Sequence, residues 1–203
     1  MIETIKLLWV RPTYVMPNVS VSLSKEDLKL SEKLSIEPIT VNAVPESVLE
    51  EFKQLQMEFF CELADNAITF DLRDNQGLYV EDNILFGSLQ HKEKRNEFKR
   101  FTDYMFLIKD SNKEKIMSIF DALKVRYEML IKRLLSQLDH YISETVGEII
   151  NNFPELKYKE NDFKVILRDN AILLEDATMD IEFYKITLSE DDAIIKRCID
   201  EAY

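Results

Sequence analysis

The stretch from Lys113 to Asn152 carries one amphipathic pattern from end to end, and this pattern predicts a single long helix. Ser111 and Glu114 have the spacing of a capping box, which marks a helix start. Pro154 marks the end, because the residue before a proline is displaced from helical geometry. The apolar stripe is formed by Ile116, Phe120, Leu123, Tyr127, Leu130, Leu134, Leu138 and Tyr141.

A helix of this length constrains the rest of the chain. About 40 helical residues extend roughly 60 Å, whereas a compact chain of 203 residues is roughly 43 Å across. Either the helix breaks between Asp139 and Gly147, where the stripe rotates, or another subunit or partner covers its end. The glycine in this section weakens the helix and lets a neighbour approach closely.

The remaining periodicity predicts an α+β fold, with helices on one face of a mixed or antiparallel sheet. We expect one domain over 1–203, with a possible sub-division into 1–110 and 111–203. A second amphipathic helix is predicted over 45–65, and Arg11 to Asn18 is predicted as a loop because it holds two prolines. The predicted core includes Phe52, Phe59, Phe106, Phe120, Leu123, Leu130 and Leu134. Strands are predicted at 4–10, 19–23, 36–44, 68–73, 78–86, 101–109, 163–168, 171–175 and 181–187, and short helices after Ser24, over 88–100 and after Ser189.

Two stretches resemble each other and are both predicted as hairpins. Leu72-Arg73-Asp74-Asn75 precedes one apolar run, and Leu167-Arg168-Asp169-Asn170 precedes another. The similarity is consistent with a duplicated helix–hairpin unit. Chance is the favoured explanation, since Asp-Asn is common in turns.

The charge of the chain limits its partners. The formal net charge is −12, which opposes binding to nucleic acid and to anionic membranes and is compatible with a basic protein surface. The run from His91 to Arg100 is an exception to this acidity, because basic residues outnumber acidic ones there. It is either a small anion-contacting site or a solvated helix face. No apolar run has the length of a membrane span.

The two cysteines, Cys61 and Cys198, are far apart and lie in no metal-type spacing. This usage is typical of a reducing compartment, so a cytoplasmic location is predicted. Cys61 falls off the apolar stripe of its helix and is the better candidate for a reactive thiol.

Motifs that bind cofactors are missing from the sequence. With only three glycines, the chain contains no glycine-rich phosphate loop, so we expect no nucleotide cofactor. There is no G-x-S-x-G elbow. His91 and His140 have no second ligand at zinc-site spacing, and His140 is expected to contact solvent or a partner. No catalytic, cofactor-binding or metal-binding residue is assigned.

Carboxylates support one enzymatic alternative, a Mg²⁺-dependent nuclease. Such an enzyme gathers acidic residues and a lysine around the metal ion. The candidates lie on or beside predicted strands and are Asp169, Glu175, Asp180, Glu182 and Lys185. Glu182 and Lys185 point to opposite faces of a regular strand, which is unfavourable for a shared site.

The missing catalytic motifs, the acidic charge and the long helix together favour a non-catalytic, acidic protein-binding module. Such a module would be an inhibitor, an immunity-type protein or a complex-assembly subunit. Its partner would be a protein, and the acidity is compatible with a basic one; the long helix would also support a homo-oligomer. The interface residues predicted on that helix are Tyr127, Leu134, Leu138 and Tyr141, although Tyr127 and Leu134 also suit the core. The sequence identifies neither the partner nor the pathway.

Overall fold

A computed structural model describes residues 6–17, 19–23, 39–71, 88–89, 101, 104–171 and 177–187, and it has an α+β fold. The strands are β1 (Lys6–Val15), β2 (Ser20–Leu23), β3 (Ile39–Asn42), β4 (Ile68–Asp71), β5 (Ser88–Leu89), β6 (Tyr104–Lys109) and β7 (Thr178–Thr187). The helices are α1 (Glu46–Asn66), α2 (Lys113–Asn152) and α3 (Glu160–Ala171), and short 3-10 helices cover Asp110–Asn112 and Pro154–Lys159.

Five strands form the main sheet, in the order β5-β4-β6-β1-β7. The pairs β1/β6, β4/β6 and β4/β5 are antiparallel, and Trp9 of β1 lies opposite Leu107 of β6. The first five residues of β6 are buried, as expected for the central strand of the sheet. The strands β2 and β3 form a separate antiparallel pair, in which Val21 lies opposite Val41.

The chain divides into two compact units whose segments alternate along the sequence. The first unit comprises 1–14, 54–125 and 179–203, and the second comprises 15–53 and 126–178. The boundary between these units therefore passes within α1 and within α2.

The core of the first unit is rich in aromatic side chains. Phe60 contacts Tyr104 edge-to-face with 4.7 Å between ring centroids, and it contacts Phe106 at 5.5 Å. Phe59 lies 5.0 Å from Phe101 and 5.8 Å from Phe120. These rings join α1 and α2 to the central strand β6, and tilted or edge-on aromatic pairs of this kind add to the stabilisation from burial.

The core of the second unit is aliphatic. Ile142, Val146 and Ile149 on the last turns of α2 belong to one buried cluster with Phe163 and Leu167 of α3. The same cluster contains Val21, Leu23, Ala43 and Leu156. The rotated part of the α2 stripe is therefore covered by the chain itself, through β2, the segment after β3, and α3.

The prediction for the long helix is confirmed, with the predicted bounds Lys113–Asn152. It does not break between Asp139 and Gly147, since all these residues are helical. Packing explains the continuity, because Ile142 and Val146 within this section are buried in the aliphatic cluster of the second unit. At its start, Arg168 of α3 donates to both carboxylate oxygens of Asp139 at 2.5 and 2.6 Å. A Cβ built on Gly147 meets no atom within 4 Å, so among the described residues no neighbour makes the close approach expected there.

The second predicted helix is confirmed as α1, and its apolar stripe is buried. Six of the seven predicted core residues are buried, namely Phe52, Phe59, Phe106, Phe120, Leu123 and Leu134. The seventh, Leu130, is half-buried.

The strand predicted over 163–168 is wrong, because these residues belong to α3. Phe163 and Leu167 are fully buried and four residues apart, whereas Val165 between them is 57% exposed. This is helical periodicity, because a strand with a period of two would bury Val165 together with Phe163 and Leu167. Asp169 and Asn170 are therefore helical and form no hairpin turn, which removes one half of the proposed repeat.

Three further predictions differ from the structure. Arg11 to Val15 continue β1 instead of forming a loop, which Pro12 permits because its fixed φ suits extended backbone. Ser88 and Leu89 form β5 and do not begin a helix. The strand predicted over 171–175 is wrong at Ala171, which ends α3. Several predictions lie outside the described residues: the helix after Ser24, the strand over 78–86, most of 88–100 with its basic run, the rest of the strand over 171–175, and the helix containing Cys198.

Candidate functional site

A surface groove of about 760 Å³ lies in the second unit. One wall is the segment that runs from the end of β3 into the first residue of α1, and the other is the final section of α2. The lining residues are Val41, Asn42, Val44, Pro45, Glu46, Glu144, Thr145, Gly147, Glu148, Ile149, Asn151, Asn152 and Phe153.

Hydrogen bonds fix the first wall. Ala43 N–H donates to Val19 O at 2.8 Å, and Ser20 Oγ donates to Asn42 Oδ1 at 2.6 Å, so the segment is joined to β2. Thr145 Oγ1 of α2 donates to Asn42 O at 3.2 Å across the groove. The two walls are therefore in direct contact.

The start of α1 contributes one carboxylate that already has a partner. Pro45 O accepts from Val48 N–H at 3.0 Å as the helix begins. Lys53 Nζ lies 2.5 Å from Glu46 Oε1 and 3.4 Å from Glu50 Oε2. The hydrogen bond to Glu46, reinforced by both charges, raises the pKa of Lys53. Glu46 is therefore partly neutralised.

The α2 wall is negative. Glu144 and Glu148 are exposed and four residues apart, so they lie on one face of the helix. Glu144 Oε1 lies 3.3 Å from His140 Nε2, which is charged only if protonated, whereas Glu148 forms no ion pair within the described part of the chain. The C-terminal end of α2 adds the negative end of the helix dipole, and its last turn contains no basic residue. No described residue that lines the groove is a lysine, arginine or histidine.

Apolar surface lies beside these charges. Val44 and Ile149 are buried beneath the groove, and Phe153 at its edge is 37% exposed. Gly147 leaves open space where another residue would project a side chain. The arrangement combines an apolar base with fixed negative potential, and it presents an aromatic ring to solvent. It suits the binding of a cation attached to an apolar group.

The four predicted interface residues are placed differently from one another. Tyr127 and Leu134 are buried within the chain, at 3% and 0% exposure. Tyr127 OH donates to Val15 O at 2.6 Å, and its ring meets Phe52 edge-to-face at 5.8 Å. Burial raises the pKa of Tyr127 to about 12. These two side chains serve the core of the second unit.

Leu138 and Tyr141 retain some exposed surface. Leu138 packs partly against the aliphatic cluster of the second unit, and Tyr141 OH donates to Gln137 Oε1. His140, predicted to contact solvent or a partner, is exposed. The participation of Leu138 and Tyr141 in an interface remains a prediction.

The structure also locates four of the five candidate nuclease residues. Asp169 is exposed on α3 and is not on a strand, while Asp180, Glu182 and Lys185 are exposed on β7. Asp180 Oδ1 lies 4.0 Å from Lys124 Nζ, and Glu182 Oε2 accepts from Tyr184 OH at 2.7 Å. Glu175 lies outside the described residues. Among the residues that the structure describes, no three His, Cys, Asp or Glu side chains are grouped as metal ligands would be.

Comparisons with known proteins add no family. No family model, curated protein or solved structure matches the chain.

No helix in the described part of the chain is long and apolar enough to cross a membrane. Cys61 is a half-buried free cysteine on α1.

Sequence reasoning missed the groove, although one signal was present. Glu144 and Glu148 carry like charges four residues apart on one helix, which is unfavourable. Gly147 lies between them in a helix interior, which costs stability relative to alanine. Three locally unfavourable residues together are an indication of a functional surface.

Proposed function

We propose that this protein is a non-catalytic, acidic protein-binding module that acts by contact with a basic partner protein. Inhibitors, immunity-type proteins and complex-assembly subunits work in this way. The observation that carries the proposal is the groove of the second unit, which is open and lined by three glutamates without a basic residue among its described lining.

The overall charge supports the same proposal. A net charge of −12 attracts a basic protein at long range and accelerates the encounter. The groove then supplies the short-range part of recognition, since Phe153 offers exposed aromatic surface of the kind enriched in interfaces. Long-range attraction and a local contact site together account for affinity without any bond-making chemistry.

The test begins with identification of a partner by affinity capture from native lysate, followed by reconstitution from purified components. We expect a basic protein that forms a stoichiometric complex with this chain. The association rate should fall steeply as salt is raised, because charges separated by more than about 8–10 Å are screened near physiological ionic strength. The measurement is stopped-flow association over a salt series.

Three outcomes contradict the proposal. The first is a reconstituted complex whose association rate does not depend on salt, and the second is the absence of any stoichiometric partner. The third is Mg²⁺-dependent cleavage of labelled DNA or RNA by the purified protein that is lost in Asp169→Ala. That result would establish the nuclease alternative instead.

Self-association and location belong to the same proposal. We infer a homo-oligomer in which the partly exposed Leu138 and Tyr141 of α2 contribute to the contact. Replacing both with Glu should then lower the molar mass measured by sedimentation equilibrium. Wild-type protein that is monomeric at high concentration contradicts this part. The cytoplasm is the proposed location, since the chain has two widely spaced cysteines and no disulfide framework.

A further inference from the structure

We propose that the groove between the β3–α1 segment and the end of α2 binds a cationic, amphipathic segment of the partner protein. In this mode a lysine or arginine side chain lies at the C-terminal end of α2, and an adjacent apolar side chain packs on Phe153. The inference rests on the proposed function and assigns its contact surface and the chemistry of the segment it takes.

The size of the groove favours binding of a peptide segment of the partner over binding of a folded protein surface. A volume of about 760 Å³ accommodates several side chains, which is the scale of peptide and small-ligand sites. The groove is also formed before binding, because Val41 of one wall packs against the buried cluster that contains Ile149 of the other wall. A preformed site reduces the ordering cost that binding incurs.

The negative charges of the groove favour a positively charged side chain in the bound segment. Glu148 is exposed and has no ion-pair partner among the described residues, and Glu144 has only His140 beside it. Glu148 lies directly before the last turn of α2, near the negative end of the helix dipole, and Glu144 lies one turn earlier. A lysine or arginine placed here interacts with two carboxylates and with the helix end. It also supplies the basic residue that the last turn of α2 lacks.

The apolar base selects an amphipathic segment over a purely basic one. Phe153 is 37% exposed, and open space remains over Gly147, whose built Cβ meets nothing within 4 Å. An apolar side chain in this space would bury the ring and contact the helix closely. A second copy of this chain is a poorer occupant of the groove, because an acidic surface would face the glutamates that line it. The contact proposed above for a homo-oligomer uses Leu138 and Tyr141, which do not line the groove.

The test uses three labelled peptides of about 12 residues, built from Leu and Ser together with Arg, Lys or Glu. Binding is measured by fluorescence anisotropy. The Arg and Lys peptides should bind wild-type protein, and the Glu peptide should not. Glu144→Gln with Glu148→Gln should weaken Arg-peptide binding about tenfold, since each exposed ion pair is worth about threefold.

The matched control removes two charges elsewhere on the same helix, by Asp121→Asn with Glu128→Gln. Both positions are exposed and outside the groove. This control should change the dissociation constant of the Arg peptide by less than about twofold, which is the effect expected from surface charge alone. A second variant, Gly147→Leu, should block the peptide by filling the open space, and circular dichroism should show an unchanged helix signal.

Equal weakening by the groove pair and by the control pair overturns the inference, because nonspecific attraction would then explain binding. Absence of binding by the Arg and Lys peptides overturns it as well. The proposed function is tested separately with the natural partner. If Glu144→Gln with Glu148→Gln binds that partner at full strength and in a salt-dependent way, the proposed function stands and only the groove assignment fails.

Discussion

Tyr127 shows how a single polar atom contributes to the core of the second unit. Its hydroxyl group lies among apolar side chains but donates to Val15 O at 2.6 Å, so the polar group is satisfied. Burial raises the pKa of this phenol to about 12, above the ordinary value near 10. The folded protein therefore holds the phenolic proton more tightly than the unfolded chain does.

This shift predicts a pH dependence. The stabilisation is complete below about pH 10 and is lost as the pH rises toward 12. Tyr127→Phe should cost about 1–2 kcal/mol at neutral pH, because Val15 O loses its donor. The difference in unfolding free energy between the two proteins should shrink by about 1 kcal/mol between pH 9 and pH 11.

Urea unfolding of both proteins over this pH range measures the effect. Lysines and other tyrosines titrate equally in the two proteins, so their contributions cancel in the difference. A difference that stays constant up to pH 11 would show that the Tyr127 phenol titrates normally, and the role assigned to its burial would be rejected.

Among the helices, α3 is the element that sequence patterning misassigned, and it provides a direct test. Val165 is 57% exposed on this helix, whereas Leu167 is fully buried. Val165→Ala should raise stability by about 0.5 kcal/mol, because alanine is a better helix former than a β-branched residue. In a strand the same change would lower stability.

Leu167→Ala provides the matched control on the same helix. It should cost about 2–5 kcal/mol, since it leaves a cavity in the aliphatic cluster of the second unit. Thermal unfolding of the two variants beside the wild type is the measurement. Loss of stability in Val165→Ala would argue against the helix.

Long periodic elements were predictable, and short ambiguous ones were not. The bounds of α2 and the buried stripe of α1 follow from periodicity over many turns together with a capping box and a proline. The apolar residues of α3 fit two patterns. A strand pattern with a period of two includes Phe163, Val165 and Leu167, whereas the helical spacing of four includes Phe163 and Leu167 alone. The deciding signals were charges: the acidic Glu160 and Asp162 lie in its first turn and Arg168 in its last.

The groove was not predictable from spacing alone. Its walls come from residues 41–46 and 144–153, which are far apart in the sequence. Their meeting depends on the aliphatic cluster that brings Ala43 against Ile142 and Val146. Sequence patterns indicate which side of an element is apolar, but they do not indicate which two elements bury those sides together.

At the scale of the whole molecule, α1 and α2 each contribute residues to both compact units. A helix melts cooperatively along its length, so loss of one end of α2 disfavours the other. We therefore expect one unfolding transition for the described part of the chain. Trp9, the single tryptophan, lies in the first unit beside Tyr184 with 5.3 Å between ring centroids, and it reports on that unit.

The measurement compares tryptophan fluorescence with far-ultraviolet circular dichroism during urea unfolding. Circular dichroism reports chiefly on the helices, including α3 of the second unit, so coincident curves indicate a single transition. A fluorescence midpoint clearly separated from the circular-dichroism midpoint would show that the two units unfold independently.

The neighbouring positions of β1 and β7 in the main sheet have a consequence for biosynthesis. The ribosome makes β7 about 170 residues after β1, which at about 5–20 residues per second is a delay of roughly 10 to 35 s. During that interval β1 lacks the strand that completes its side of the sheet. A nascent chain paused before Thr178 therefore presents β1 as an open edge, and such edges are where newly made chains associate with one another.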